Sequence, residues 1–291
     1  MCTVITSNDL IARTMDFPPR TPWQLTYLPA AFQWQPAVGG QVLTNRYRIL
    51  GGMRHFDGHY LLGDGLNSAG LFCAELFFPV AASYEETVRP GTRGLTPQDF
   101  ILWVLGKHAT VAELAADLER VSVVGRRWFD GNYYPFHWLL ADDSGTYVIE
   151  PLGGRLKLMR NPCGGLTNTP ALADQVERLN HRLGIADRQF VLRAVVNYQG
   201  AWPAGGNSVA RFQQAVLTSW QKKPQTVAAM ATFLQTVTVP HTKKHEHNYT
   251  HYWAVVDRQR LRYYFTDCRT QRRVSYDLNS AVGQQPVAFK L

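Results

Sequence analysis

Alternating apolar and polar positions mark strands at both ends of the chain, while helical signals occupy its middle. The first residues, Cys2 to Thr6, form a β-branched run, and a polar gap separates them from a second run that ends at Phe17. Runs of this kind, bounded by turn residues, are typical of strands. Strands are predicted over residues 3–6, 24–29, 47–53, 59–63, 71–77, 136–141, 145–150, 251–257, 260–266 and 272–277.

Helix-capping residues precede apolar runs in the middle of the chain. Thr96 is predicted to cap one helix ahead of Pro97, and Thr110 with Glu113 predicts a capping box before a second helix. Further helices are predicted over residues 170–183, 208–221 and 225–236. Because strands and helices come in blocks, the pattern favours an α+β layered fold over a doubly wound parallel sheet. The length of 291 residues and the hydrophobic content of 45% fit one large domain, residues 1–291.

Cys2 is the candidate nucleophile, because removal of Met1 would place a thiol and a free α-amine on one residue. An α-amine titrates near about pH 8 and a free thiol near about 8.5, so modest electrostatic effects decide which carries the proton. The predicted turn would bring Arg13 and Asp16 beside Cys2, where the guanidinium favours the thiolate and the carboxylate stabilises the protonated amine. The residues alone also allow a buried apolar role for Cys2 and a surface ion pair between Arg13 and Asp16.

Short sequence blocks occur in the order and spacing of a known enzyme family. The blocks are Met1-Cys2-Thr3, Arg13-Thr14-Met15-Asp16-Phe17, Asp64-Gly65-Leu66-Asn67-Ser68-Ala69-Gly70-Leu71, Phe136-His137-Trp138-Leu139-Leu140-Ala141-Asp142, Val148-Ile149-Glu150-Pro151, Gly165-Leu166-Thr167-Asn168-Thr169-Pro170 and Ser208-Val209-Ala210-Arg211-Phe212. The predicted hairpin of residues 252–257 and 261–265 closes the series. The sequence thereby resembles, over essentially its whole length, the choloylglycine hydrolase family, the N-terminal-cysteine hydrolases that include bile salt hydrolases and penicillin V acylases.

The resemblance implies a four-layer αββα sandwich of the N-terminal nucleophile hydrolase type. It also implies hydrolysis of linear, non-peptide amide C–N bonds without a cofactor, on a penicillin V-like or conjugated bile acid substrate, by a possible homotetramer. In this interpretation Asn168 is the oxyanion donor, Arg211 supports charge near the nucleophile, and Asn67 helps to shape the site. From the residues alone, Asn168 and Asn67 are equally well explained as turn asparagines that bond their own backbone.

One position departs from the pattern of bile salt hydrolases. Those enzymes usually carry Ala-Gly-Leu-Asn-Phe-Pro where this chain has residues 74–79, Ala-Glu-Leu-Phe-Phe-Pro. Phe77 therefore stands at the asparagine position, where penicillin V acylases commonly have tyrosine. The change predicts a preference for aryl-containing acyl groups such as phenoxyacetyl. The backbone N–H of Phe77 still suits an oxyanion hole, because that role needs no particular side chain.

Aromatic side chains are concentrated after the Asp16 turn and just ahead of the strand predicted at 136–141. The candidates for an apolar acyl pocket are Trp23, Tyr27, Phe32, Trp34, Tyr133 and Tyr134. Burial in the core explains the same residues equally well.

Charge, apolar runs and cysteines indicate the class of protein. The net charge of +8 is spread along the chain without a recognisable nucleic-acid motif, which argues against a nucleic-acid partner but suits attraction of anionic substrates. No apolar stretch approaches the roughly 20 residues that span a bilayer, and the first residues do not resemble a signal peptide. The four cysteines show no paired spacing. We therefore expect a soluble cytoplasmic protein that does not contact membranes.

Two other classes of function stay open. The histidines of residues 241–251 suggest a metal-dependent hydrolase, since two histidines four apart on a helix can share zinc. Pro240 predicts a loop instead, the order differs from His-Glu-x-x-His, and Lys243 and Lys244 would repel a cation. A catalytically silent binding protein on the same scaffold is disfavoured, because all the candidate catalytic residues are present.

Overall fold

The computed structural model of the protein describes residues 2–17, 21–246, 248–280 and 283–290. Its strands are β1 Thr3–Ser7, β2 Leu10–Met15, β3 Gln24–Leu28, β4 Gln33–Trp34, β5 Leu43–Thr44, β6 Ile49–Phe56, β7 His59–Leu62, β8 Asp64–Asn67, β9 Phe72–Phe77, β10 Arg93–Leu95, β11 Val121–Val123, β12 Phe136–Asp142, β13 Gly145–Leu152, β14 Arg155–Arg160, β15 Gly165–Thr167, β16 Tyr252–Asp257, β17 Arg262–Asp267, β18 Arg273–Asp277 and β19 Val287–Ala288. Its α-helices are α1 Pro97–Lys107, α2 Val111–Asp117, α3 Leu172–Arg182, α4 Leu192–Asn197, α5 Ser208–Leu217 and α6 Val227–Val237. No helix among the described residues is long and apolar enough to cross a membrane.

Two antiparallel sheets form the centre of the molecule. Sheet A has the strand order β15-β1-β2-β16-β17-β18. Sheet B has the order β14-β13-β12-β9-β8-β6-β3-β19, and β7 also pairs with β6. Because β1 is paired on both sides, the residue that precedes it lies between the ends of β2 and β15.

The two sheets share an apolar core and carry helices on their outer faces. Val4 of sheet A and Leu50 of sheet B belong to the same buried cluster. Ile5, on the other face of β1, packs in a second cluster with Leu234 of α6. Helices α5 and α6 cover sheet A, and α1 and α2 cover sheet B. The layer order is α, β, β, α, so the predicted α+β sandwich is confirmed.

Local sequence signals fix several element boundaries. Every predicted strand overlaps an observed one. Thr96 caps α1 in a capping box closed by Asp99. Thr110 caps α2, but the Glu113 carboxylate accepts from the Ala109 N–H instead of the Thr110 N–H, so the predicted box is not closed at α2.

Tertiary contacts move two of the predicted helix ends. The helix predicted from residue 170 begins at Leu172, whose N–H donates to Glu150 Oε1 over 2.7 Å. The helix predicted over 208–221 ends at Leu217 and continues as a π-helical turn, Thr218–Lys222. In that turn Trp220 Nε1 donates to the carbonyl of Cys163 over 2.8 Å. The altered hydrogen bonding of the last turn therefore accompanies anchoring to the loop before β15.

The sequence pattern misses helix α4 and the strands β4, β5, β8, β10, β11, β14, β15 and β19. Strand β14 alternates exposed and half-buried residues at the edge of sheet B. Strand β15 has three residues and pairs with β1 from Thr3↔Thr167 to Ile5↔Gly165. So short a segment carries little periodicity of its own. Its strand character comes from β1.

Candidate active site

Cys2 lies at the meeting point of three strand ends. Thr3 is paired with Thr14 of β2 and with Thr167 of β15, so one further step of each ladder places Cys2 opposite Met15 and Asn168. The Cys2 backbone N–H donates to Asn168 Oδ1 over 3.2 Å, and the residue is only 3% exposed. The sequence includes Met1, so this N–H belongs to a peptide bond. It marks the position that the α-amine would occupy.

The backbone of Asn168 is fixed by the buried side chain of Gln175. Gln175 Nε2 donates to the Asn168 carbonyl and to Thr167 Oγ1, each over 2.9 Å. Thr167 Oγ1 in turn donates to the carbonyl of Ser208 over 2.9 Å. Among the described residues, the Asn168 side-chain N–H₂ has no hydrogen-bond partner. The amide oxygen thus faces Cys2, while the amide nitrogen can donate elsewhere.

Arg13 is fully buried on the inner face of sheet A. It pairs with Val4 across the ladder, and Nη1 donates to the Gly63 carbonyl. The same nitrogen lies 3.2 Å from Asp64 Oδ2, and neither side chain is exposed. The alternative of a surface ion pair between Arg13 and Asp16 is therefore wrong.

Asp64 collects three donors in the core. The Tyr252 hydroxyl donates to Oδ2 over 2.6 Å, and the Tyr263 hydroxyl donates to Oδ1. Burial, with the nearby Asp64 charge, raises the pKa of both tyrosines well above its usual value, so both remain donors. Burial alone would lower the pKa of Arg13, but Coulombic attraction to Tyr252, Cys2 and Asp64 raises it. Arg13 therefore stays charged within range of Cys2.

Asp16 and Arg211 form a second buried pair. Arg211 Nη1 lies 2.8 Å from Asp16 Oδ2, and Thr250 Oγ1 donates to Asp16 Oδ1 over 2.7 Å. The Cys2 N–H is bonded to Asn168 and not to Asp16. Arg211 thus contacts the Asp16 carboxylate, which the sequence analysis placed beside the amine.

The backbone of Phe77 faces the same region. The Phe78 N–H donates to the carbonyl of Pro135, just before β12. In a strand the backbone N–H and C=O groups of successive residues point to opposite sides, so those of Phe77 point away from β12. On that side the Phe77 carbonyl accepts from the N–H of Thr169 over 3.3 Å. The Phe77 N–H therefore points towards the segment that carries Asn168.

A sequence model described as "Linear amide C-N hydrolases, choloylglycine hydrolase family" matches residues 2–282. The chain belongs to the choloylglycine hydrolase family.

Two members of the family are similar over part of their length. The bile salt hydrolase/transferase of Clostridium perfringens is 30% identical over 182 residues, 62% of this chain and 55% of that protein. The bile salt hydrolase/transferase of Lactiplantibacillus plantarum is 30% identical over 187 residues, 62% of this chain and 56% of that protein. The chain spans about half the length of the curated relatives it matches.

Solved structures show the same fold over a larger share of the chain. A mutant of the conjugated bile acid hydrolase from Clostridium perfringens superposes with a TM-score of 0.84 at 24% identity, covering 100% of this chain and 97% of that one. Penicillin V acylase from Agrobacterium tumefaciens superposes with a TM-score of 0.73 at 20% identity, covering 96% and 87%. The four-layer fold implied by the choloylglycine hydrolase resemblance is confirmed.

The aromatic residues beside the site include two, Phe17 and Phe136, that were not among the predicted pocket residues. The ring of Phe17 packs on Phe77, Tyr134 and Phe136, with the Tyr134 centroid 4.8 Å away. Phe17 directly follows Asp16, and Phe77 is bonded to Thr169. We call Phe17, Phe77, Tyr134 and Phe136 the aromatic cluster.

Several predicted pocket residues make contacts outside the aromatic cluster. Tyr27 is buried in β3 opposite Val287, and its place in an acyl pocket stays a prediction. Tyr133 is 43% exposed and contacts Tyr84, whereas its neighbour in the chain joins the aromatic cluster. Phe32 packs on Tyr60.

Trp23 packs between Tyr252 and the buried Arg54 guanidinium. Its ring centroid is 5.6 Å from that of Tyr252, and the Arg54 guanidinium lies over it. Trp34 donates through Nε1 to Asn45. Trp23 Nε1 also donates to the carbonyl of Phe17, a member of the aromatic cluster, over 3.2 Å, whereas the Trp34 bond does not involve that cluster.

Asn67 makes the backbone bonds of the turn role that the residues alone allow, and its place in the site stays a prediction. It is fully buried, and Nδ2 donates to the carbonyls of Leu105 and His108 over 2.9 and 2.7 Å. Its Oδ1 accepts from the N–H groups of Ala69 and Leu71. These bonds use all its polar capacity to tie the β8–β9 turn to α1.

Glu75, which stands where bile salt hydrolases usually have glycine, is a buried carboxyl that sequence reasoning did not single out. Among the described residues neither carboxyl oxygen has a hydrogen-bond partner. Burial raises its pKa well above the usual value, although Arg13 and Arg54 act in the opposite direction. Arg54 is equally buried, with Nη2 3.6 Å from Asp130 Oδ2. The only sequence signal was this departure from the family pattern.

The histidine-rich segment forms the predicted loop around a short 3-10 turn, Lys243–His245. His241 and His251 pack on the ring of Tyr249, at 4.6 and 4.0 Å between centroids. Among the described residues, no three His, Cys, Asp or Glu side chains come together as a metal site. His247 lies outside the described residues.

Proposed function

We propose that the protein hydrolyses linear, non-peptide amide C–N bonds through the Cys2 thiol, after removal of Met1. The observation that carries this proposal is the bond from the Cys2 nitrogen to Asn168, formed beside the charged, buried Arg13. This bond supports the proposal because the nitrogen that would become the α-amine of Cys2 lies next to the Asn168 amide, an arrangement that suits nucleophilic catalysis.

The α-amine of Cys2 takes the thiol proton as the sulfur attacks the substrate carbonyl carbon. The proton then passes to the leaving nitrogen, the C–N bond breaks, and a thioester remains on Cys2. Water attacks the thioester, giving one proton to the α-amine, and the C–S bond breaks to release the acid. The proton returns to the sulfur, so the enzyme is regenerated.

The tetrahedral oxyanion would be held by the Asn168 side-chain N–H₂ and the Phe77 backbone N–H. Support comes from the unbonded Asn168 nitrogen and from the direction of the Phe77 N–H, away from β12. Two fixed donors aimed at the developing charge stabilise the transition state more than the ground state.

Arg13 would favour the Cys2 thiolate by its positive charge. The two groups are close enough to interact, since Cys2 is among those that raise the pKa of Arg13. Asp16 would stabilise the protonated amine, and Arg211 would hold Asp16 in place through the buried pair. Asp64 would keep Arg13 oriented.

We propose an aryl-containing acyl group, such as phenoxyacetyl, as the preferred substrate part. The aromatic cluster supports this, because an aryl group of the substrate could make the same tilted and edge-to-face contacts that these rings make with one another. Conjugated bile acids are the second candidate, favoured by the similarity to the Clostridium perfringens enzyme.

The test combines intact mass with hydrolysis assays on penicillin V and glycocholate. We expect loss of Met1, one rapid iodoacetamide adduct and parallel loss of hydrolysis, with penicillin V cleaved faster. Faster cleavage of glycocholate would overturn the acyl preference alone. Retained Met1, or alkylation without loss of activity, would refute the Cys2 mechanism.

Cys268 provides the matched control for alkylation, because it is the half-buried thiol. Burial and the Asp16 charge raise its pKa, which slows its reaction. Cys268→Ala should keep the rapid adduct and the activity. Cys2→Ala should lose both while staying folded, and Cys2→Ser should react poorly because a hydroxyl ionises far less than a thiol.

A further inference from the structure

An open cavity of about 620 Å³ begins directly beside the candidate active site. One wall is Thr169 and Pro170, which follow Asn168 in the chain. Another wall ends at Ala210, the residue before Arg211. Two of its walls are thus made by direct chain neighbours of the site residues Asn168 and Arg211. Its volume falls in the range of small-molecule sites, about 300–1,000 Å³.

Two arginines of α3 give this cavity its charge. Arg178 and Arg182, one helical turn apart, both line it, and no carboxylate is among its lining residues. Residues at this spacing point from the same face of a helix. We call this cavity, defined by Thr169, Pro170, Arg178, Arg182 and Ala210, the arginine pocket.

One of the two arginines is oriented by the protein and the other is available to a ligand. Arg182 Nε donates to Gln213 Oε1 over 2.7 Å, and Nη1 donates to the Ala201 carbonyl over 3.1 Å. Buried Gln213 also donates to the Arg178 carbonyl over 3.2 Å, which ties α5 to α3. The Arg178 guanidinium makes no hydrogen bond or ion pair to any described residue.

We propose that the arginine pocket binds a carboxylate on the amine half of the substrate, an inference that rests on the proposed function. Guanidinium groups bind carboxylates through paired, charge-assisted hydrogen bonds, and Arg182 is already held for that purpose. The aromatic cluster suits the acyl half, which leaves the polar, positive cavity to the leaving amine. An amino acid fits this description, because its carboxylate lies a few bonds from the scissile nitrogen.

The test compares two substrates that differ only in charge, N-phenoxyacetylglycine and N-phenoxyacetylglycinamide. Arg178→Gln with Arg182→Gln should lower kcat/KM for N-phenoxyacetylglycine by about tenfold or more, mainly through KM, as expected for lost ion-pairing contacts. The neutral glycinamide should change by less than about twofold, and added salt should reduce the difference between the proteins.

Arg188→Gln is the matched control, since Arg188 is an exposed arginine paired with Glu177 and does not line the pocket. It should leave both rates unchanged. Equal losses on both substrates, no loss on either, or the same selectivity change from Arg188→Gln would overturn the subsite.

Binding to the Cys2→Ala variant separates this inference from the proposed function. Calorimetry should show N-phenoxyacetylglycine bound more tightly than the glycinamide, with the preference removed by the two arginine substitutions. That result supports the pocket even when the wild-type protein hydrolyses neither compound, which would refute only the proposed reaction. Equal binding of both compounds would overturn the pocket while leaving hydrolysis to stand.

Discussion

Arg211 and Asp16 are 195 residues apart in the chain, yet Arg211 Nη1 lies 2.8 Å from Asp16 Oδ2. Both side chains are almost completely buried. Asp16 follows β2 and Arg211 lies on α5, so the pair joins sheet A to its helix layer at the edge of the candidate site. In the proposed mechanism Arg211 would therefore be a positioning residue that acts through Asp16.

The pair predicts strong coupling between the two positions. Arg211→Gln should lower the free energy of unfolding by about 3–5 kcal/mol, because it removes the guanidinium that contacts the buried Asp16 carboxylate. Asp16→Asn with Arg211→Gln should cost less than the sum of the single substitutions. Urea unfolding of all four proteins measures the coupling, and additive effects would contradict it.

Asp64 predicts a stability effect of similar size. Asp64→Asn should cost about 3–5 kcal/mol, since the buried Arg13 loses its counter-ion. Tyr263→Phe is the milder comparison, with a cost of about 1–3 kcal/mol for one unsatisfied acceptor. Thermal unfolding measures both. A smaller effect from Asp64→Asn than from Tyr263→Phe would show that Arg13 does not depend on this pair.

Glu75 predicts a pH-dependent stability. Below about pH 4.3, the usual glutamate pKa, its carboxyl is protonated in both folded and unfolded chains. Above it, the unfolded chain ionises first, because burial raises the pKa of the folded carboxyl, so the folded state loses relative stability as pH rises towards that higher pKa. Glu75→Gln should therefore stabilise the protein by on the order of 2 kcal/mol at pH 8, and by much less at pH 4. Urea midpoints at both pH values check this, and a pH-independent difference would contradict it.

Asn168 predicts a kinetic effect. Asn168→Ala should lower kcat by about 10²–10³ with a small change in KM, as is usual when one oxyanion donor is lost. Single-turnover measurement of amine release tests the step itself. An unchanged kcat would remove Asn168 from the oxyanion hole.

Asn67→Ala is the structural counterpart. It should lower the thermal midpoint, because two carbonyls and two N–H groups lose their partner, while the rate per folded molecule persists. A rate loss without destabilisation would support a place for Asn67 in the site.

The sequence predicts what depends on local order. Alternation predicts β1 and β2, and Thr96 with Asp99 caps α1 as its spacing predicts. The family blocks predict that Cys2 and Asn168 belong together, and their hydrogen bond agrees.

What the sequence does not predict depends on pairing across the fold. Alternation gives Tyr27 a buried face but not the layer into which it is buried. The local sequence around Asp64 does not show that it accepts hydrogen bonds from Tyr252 and Tyr263, because both tyrosines come from sheet A. The sequence shows Arg178 and Arg182 only as polar positions of α3, because the other wall of the arginine pocket comes from α5.

The pairing of the β1–β2 hairpin between β15 and β16 has a consequence for synthesis on the ribosome. Beyond β2, the partner of β1 is β15, and β2 in turn awaits β16, Tyr252–Asp257. At about 5–20 residues per second, translation from the end of β2 to β16 takes roughly 12–50 s. β15, the other partner of β1, is translated part-way through that interval, and β16 only at its end. The β1–β2 hairpin therefore waits for both of its outer neighbours and reaches its final surroundings late in synthesis.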